Sequence, residues 1–306
     1  MKRFLYLLAV PVFAGAQVAS VDVGAPTLGY LFDEQSKTLH AMEGIPGAAS
    51  VGEAINLGAS IDFIQISPGR RYGLATTADY ESLLIVSLDG SSGVARQSDL
   101  PAARAFFSPS GETAALLTAE RVEIWTGMPD HPVRSRSFPR GGWQIRNLAV
   151  SDDGACVVGL DAGTLWRLSE NETAVEIGQG VRDAAFLRLT HDLLVLEETR
   201  LVRFPKAGAE SREEITGVFS NARAMSLSSD ERSVAVLDDN NMVLLVNRES
   251  NAVTRLELEG APAEGLWRAQ GTAVFQLSRG TASEPWLLDG DSGMPRLVAA
   301  GKRGNQ

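Results

Sequence analysis

The chain has 306 residues, with 28 basic and 38 acidic side chains for a net charge of −10, and its 30 Gly and 13 Pro are spread along its length. An acidic surface with no basic stripe excludes nucleic acid as a partner. A lone cysteine, Cys156, excludes an intrachain disulfide and a thiolate metal site. Single cores rarely grow past about 250–300 residues, so an even composition at this length calls for a fold that grows by repetition.

In chain order, the first element is a leader. Lys2-Arg3, an apolar run over residues 4–13 and Ala14-Gly15-Ala16 fit a secretory signal peptide spanning residues 1–16. The run is too short for the roughly 20 residues that cross a bilayer. The expectation is an exported protein, periplasmic or extracellular, with no membrane span after cleavage, residues 17–306 forming one domain that acts as a monomer. Losing Lys2 and Arg3 leaves 26 basic against 38 acidic residues, which deepens the acidic balance.

Beyond the leader, a turn recurs: Ser67-Pro68-Gly69-Arg70, Ser108-Pro109-Ser110-Gly111 and Ser151-Asp152-Asp153-Gly154, each between two short apolar strands. Pro fixes φ, Gly supplies positive φ, and Ser or Asp bonds the nearby backbone, as hairpin turns require. Fainter copies at Gly24-Ala25-Pro26, Leu187-Arg188, Ser228-Ser229-Asp230 and Ala269-Gln270 place seven anchors at 24, 67, 108, 151, 188, 228 and 269, with spacings of 37 to 43 residues.

The rest of each unit repeats as well. An apolar strand follows the anchor at 114–117, 156–160, 193–196 and 234–237, then a polar turn, then a third strand at 83–86, 122–125, 164–168, 201–204 and 242–246. A second polar turn and a fourth strand close the unit. Four strands per ~40 residues, without helical periodicity, predict an all-β seven-bladed β-propeller of four-stranded antiparallel blades, with six or eight blades as the alternative counts. Residues 18–23 are expected as the first inner strand and 296–299 as the last outer one. That phase leaves ring closure to packing between blades one and seven, with little strand exchange.

The Ser-Pro-x-Gly and Ser-Asp-Asp-Gly turns at this period resemble those of the YVTN-type and WD40-like propellers of exported bacterial proteins. The Trp-Asp and Gly-His dipeptides of true WD40 blades are missing. The resemblance implies the fold, in a family that includes lactonases, dehydrogenases, assembly factors and binding scaffolds, and it carries no activity over.

Several motifs reduce to structure. Gly290-Asp291-Ser292-Gly293 looks like a serine-protease nucleophile segment but falls in the turn between third and fourth strands. His40, His131 and His191 occupy unlike repeat positions, against the three or four convergent ligands of a zinc site. Asn171-Glu172-Thr173 fits a glycosylation acceptor and lies in a turn.

The more telling position lies about five residues before each anchor, where chains enter the inner strands around the channel: Ala19, Asp62, Ala103, Arg146, Asp183, Arg223 and Glu264. In this register Arg104 and Arg182 fall one residue off, which breaks an apparent arginine ring. Asp62, Asp183 and Glu264 remain as a candidate metal site, with Ca²⁺ the ion that three carboxylates would suit. The long loop Arg136 to Asn147 carries Arg140 and Trp143, a partner anchor on Gly141-Gly142, with Trp267 and Arg268 as support if the loop folds inward. No other cofactor is expected. Two functions follow. The first is a non-catalytic scaffold binding a protein or envelope component through Trp143, Arg140, Arg146 and Arg223. The alternative is a propeller hydrolase or lactonase using the three carboxylates.

Overall fold

The computed structural model describes residues 25–78, 81–168, 174–207, 211–240, 242–258, 263–278 and 284–302. Residues 1–16, 18–23 and 171–173, on which the leader, first inner strand and glycosylation readings rest, lie outside them.

Seven four-stranded sheets stand in a ring. The inner strands of blades two to seven are Phe63–Ile66, Arg104–Phe107, Ile145–Val150, Val181–Phe186, Ala222–Leu227 and Trp267–Arg268. Each pairs antiparallel with the strand that follows its anchor turn. Second strands are covered on both faces: Thr113–Leu117 and Leu193–Glu197 are buried at every position. Outer strands are less covered: Val175–Gln179 is exposed at three of five positions. Near-continuous apolar runs in the sequence therefore mark the middle of each blade.

Packing between blades holds the ring together. Leu194, Leu196 and Leu201 of blade five meet Val234, Val236 and Leu244 of blade six in one cluster. Burying one such side chain contributes about 1.5–3 kcal/mol, and equivalent clusters fill the other junctions.

The anchor turns share one hydrogen-bond pattern. Ser67, Ser108, Ser151 and Ser228 each donate their N–H to the carbonyl five residues on, at 2.9 Å, and accept the N–H three residues on at 2.8–3.0 Å. In blade five the residue in this role is Leu187, whose N–H meets Asp192 O at 2.9 Å. This corrects the expected anchor at 188 and moves that unit's register by one. Arg182 therefore takes the position assigned to Asp183.

Blade one comprises Thr27–Asp33, Thr38–Glu43, Ser50–Ala54 and Gly301–Lys302. Gln270 N donates to Leu28 O as Ser229 N donates to Thr272 O, just before the second strand of blade seven. Thr27–Asp33 thus holds a second-strand place. Leu28, Met42 and Ala49 pack against Ala269, Val274 and Leu287 across the closure, as expected. Strand exchange is also present, against expectation. The chain continues past Arg296–Ala299, and Gly301 and Lys302 pair in parallel with Ser50 and Val51.

Candidate functional site

The central channel holds a cavity of about 350 Å³, bounded by the inner strands of blades two to seven and by Gly29, Tyr30 and Phe32 of blade one. It has two ends. Inner strands begin at the entrance face and finish at the turn face, where the anchor turns lie.

On the entrance face the corrected register restores an arginine arc. Arg146, Arg182 and Arg223 each occupy the extra residue of a β-bulge, between Ile145/Asn147, Val181/Asp183 and Ala222/Ala224. A bulge re-aims its extra residue, and all three arginines are exposed. Two are neutralised by acids from the next turn of their own blade. Arg182 Nη2 lies 3.5 Å from Glu198 Oε2, and Arg223 Nε lies 3.1 Å from Asp239 Oδ1. Blade four makes that turn with Ala162-Gly163 and offers no acid, so Arg146 has no ion-pair partner among the described residues. Arg104, one residue out of register, is also exposed, crosses to Arg146 O at 2.9 Å and lies over the Phe106 ring.

The position one residue further along the strand ties blades together. Asn147 Nδ2 donates to Asp183 Oδ1 at 2.8 Å, and Met225 N donates to Asp183 Oδ2 at 3.0 Å. Ala184 N adds a third bond at 2.9 Å. Burial outweighs these bonds and pushes the Asp183 carboxyl up to about 6. The other two candidate carboxylates stand apart. Asp62 and Glu264 are exposed, and the Asp62 carbonyl accepts from Lys37 Nζ. Among the described residues no three His, Cys, Asp or Glu side chains are grouped to hold a metal ion.

Trp143 is half-buried and stacked on Trp166, with ring centroids 5.7 Å apart and planes at 25°. Arg140 holds the loop, its Nε donating to Trp143 O at 3.0 Å and its N–H to Glu120 O at 2.8 Å. The loop is therefore fastened to blade three through Arg140 and to blade four through Trp143, and it is shorter than expected, since residues 136–139 and 145–147 belong to strands. Arg268 points to the turn face, away from it. Gly290-Asp291-Ser292-Gly293 lies in the expected turn, where Asp291 accepts the Thr272 and Ala273 N–H groups.

Sequence reasoning missed the turn-face end of the channel. Arg70 and Glu231 stand three residues after their anchors with φ of 57° and 60°, where blades three and four have Gly111 and Gly154. Both border the cavity, as do Ser67 and Arg268. A charged residue in a glycine's place was the available signal.

Ring and channel together define a seven-bladed β-propeller. No protein-family model matches the chain, and no curated protein matches it. A solved structure of a functionally unknown protein from Desulfotomaculum acetoxidans DSM 771 is similar over 90% of this chain and 100% of its own, at 12% identity and a TM-score of 0.57. TolB from Acinetobacter baumannii is similar at 13% identity and a TM-score of 0.48, over 78% of this chain and 62% of its own. Dihydro-heme d1 dehydrogenase NirN in complex with DHE gives 18%, 0.49, 78% and 53%. The chain therefore spans less than two thirds of the latter two. These likenesses concern the fold alone.

Proposed function

We propose that this chain is an exported, non-catalytic propeller that holds an acidic protein or envelope component against its entrance face. The carrying observation is Arg146. It repeats the bulge arginine of blades five and six without the acid that neutralises Arg182 and Arg223. Beside it stand exposed Arg104 and the Trp143–Trp166 stack, held in place by Arg140. A fixed aromatic next to uncompensated guanidiniums is the composition of an interface anchor. Arg223 borders the same rim. Export rests on the leader-like residues 1–16. No helix among the described residues is long and apolar enough to cross a membrane.

The test immobilises the purified protein and challenges it with envelope extract. A component retained by wild type and by Arg255→Glu, on an outer strand, is expected to be lost with Arg146→Glu. Retention by Arg146→Glu would overturn the reading. So would a thermal shift with Ca²⁺ that Asp183→Ala abolishes, because that result belongs to a carboxylate metal site and the hydrolase alternative.

A further inference from the structure

The turn-face end of the channel carries a charge imbalance that the fold itself does not use. Arg70, from blade two, and Arg268, from blade seven, border the cavity, and neither forms an ion pair with a carboxylate among the described residues. Arg268 Nη2 donates to Pro68 O at 2.8 Å, which brings its guanidinium to the turn that carries Arg70. Arg70 Nη1 and Arg268 Nε are buried without an acceptor. Burial pushes both guanidiniums below the usual arginine range, Arg268 to about 10, and the nearby charges of Arg70 and Arg188 add to the effect on Arg268.

Two carboxylates also border the cavity. Glu231 acts on Arg268 from a distance, and its Oε1 already accepts the Arg188 N–H. Glu34 is exposed and lies at the opposite end, in the turn from which Lys37 reaches Asp62 O. Both side chains are half-buried, and guanidiniums partly withdrawn from water without counterions are costly, so a site that retains two of them has a use for positive charge.

Two further features point the same way. Ser108, Ser151 and Ser228 each accept the N–H five residues on with their hydroxyl, at 3.3, 2.9 and 2.9 Å. The Ser67 hydroxyl is buried at the cavity wall with no partner. Arg70 moreover takes a left-handed backbone where Gly111 and Gly154 stand in blades three and four. Such strain persists at binding sites when the side chain is needed there. Ile66, Phe107 and Leu227 supply apolar wall, and the volume lies at the small end of ligand cavities.

We propose that the turn-face end of the channel binds a small organic anion. Its carboxylate or phosphate head sits on Arg70, Arg268 and the Ser67 hydroxyl, and its apolar body extends along the channel. A planar guanidinium pair recognises both head groups. The site is independent of the entrance-face reading, which it faces from the other end of the cavity.

The test uses the full chain and three probes of one shape: 2-naphthoate, 2-naphthyl phosphate and neutral 2-naphthamide, followed by titration calorimetry. At least one anion is expected to bind tenfold or more tightly than the amide, and the tighter of the two assigns the head group. Arg70→Gln and Arg268→Gln are each expected to weaken the preferred anion by tenfold or more, while Arg255→Gln leaves it within twofold. Equal affinity for the amide and both anions overturns the proposal in the wild-type protein alone, whether or not the variants fold. Anion affinity unchanged in both arginine variants overturns it as well.

Discussion

Asn147 and Asp183 join the inner strands of blades four and five through one hydrogen bond of 2.8 Å, and the other oxygen of the same carboxyl takes the Met225 N–H from blade six. One side chain thus fastens three consecutive blades at the channel wall. Asp183→Ala removes the acceptor of both donors and should lower stability by about 1–3 kcal/mol. The cost depends on pH. The carboxyl is pushed up to about 6 in the fold, against roughly 3.9 in an unfolded chain. Between those values the native state binds the proton more tightly, so the group's contribution is full below about pH 4 and falls as pH rises through 6. The stability gap between wild type and Asp183→Ala, measured by urea unfolding from pH 4 to 7.5, should therefore narrow with rising pH. A gap that widens would place the native carboxyl below its unfolded value.

Anchor serines of identical sequence role differ in what their hydroxyls do. Ser151 Oγ accepts the Cys156 N–H at 2.9 Å and donates to Asp153 Oδ1 at 2.7 Å. Ser67 Oγ does neither. Ser151→Ala should cost about 1–2 kcal/mol, because it removes the acceptor of the Cys156 N–H, just before the second strand, and one of the donors to Asp153. Ser67→Ala should instead raise the stability of the ligand-free protein, by about 1 kcal/mol, since a buried hydroxyl without a partner costs its desolvation and returns no bond. Thermal unfolding of the two variants side by side decides the point, and equal losses would contradict it.

The blade count and most strand positions were legible in the sequence because blades packed on both faces need unbroken apolar runs and the turns need Ser, Pro, Asp or Gly. The predicted strands at 193–196 and 234–237 match Leu193–Glu197 and Ser233–Asp238 within a residue or two. Unit five slipped because Leu187 holds its anchor through its backbone groups, with no hydrogen-bonding side chain of its own, and its turn contains no Ser, Pro or Gly. A slip of one residue exchanged Arg182 for Asp183 and hid the arginine arc. The closing pair, Gly301 and Lys302, carries no strand pattern that a reader of sequence would notice. The turn-face site joins residues from blades two and seven, and only ring closure brings Arg268 to Pro68.

The missing acid beside Arg146 has a local cause that can be tested separately. Blade four closes the turn between Asp161 and Thr164 with two residues, Ala162 and Gly163, at φ of 49° and 85°. Two-residue hairpins of this kind require positive φ at both positions, which Asn-Gly supplies best. Alanine in a left-handed conformation costs roughly 1 kcal/mol. Ala162→Asn should therefore raise stability by about 0.5–1 kcal/mol, and Ala162→Val should lower it, read as shifts in the urea midpoint at constant slope. Blade five closes the same turn with two residues as well, Glu198 and Thr199, with Glu197 N donating to Arg200 O at 2.9 Å. Ala162 therefore stands where blade five has its paired acid, and blade six carries its acid at Asp239 in a turn one residue longer. Because Ala162→Asn keeps the short turn and adds no charge, Arg146 stays uncompensated, and partner capture on the entrance face should persist at the wild-type level in the stabilised protein.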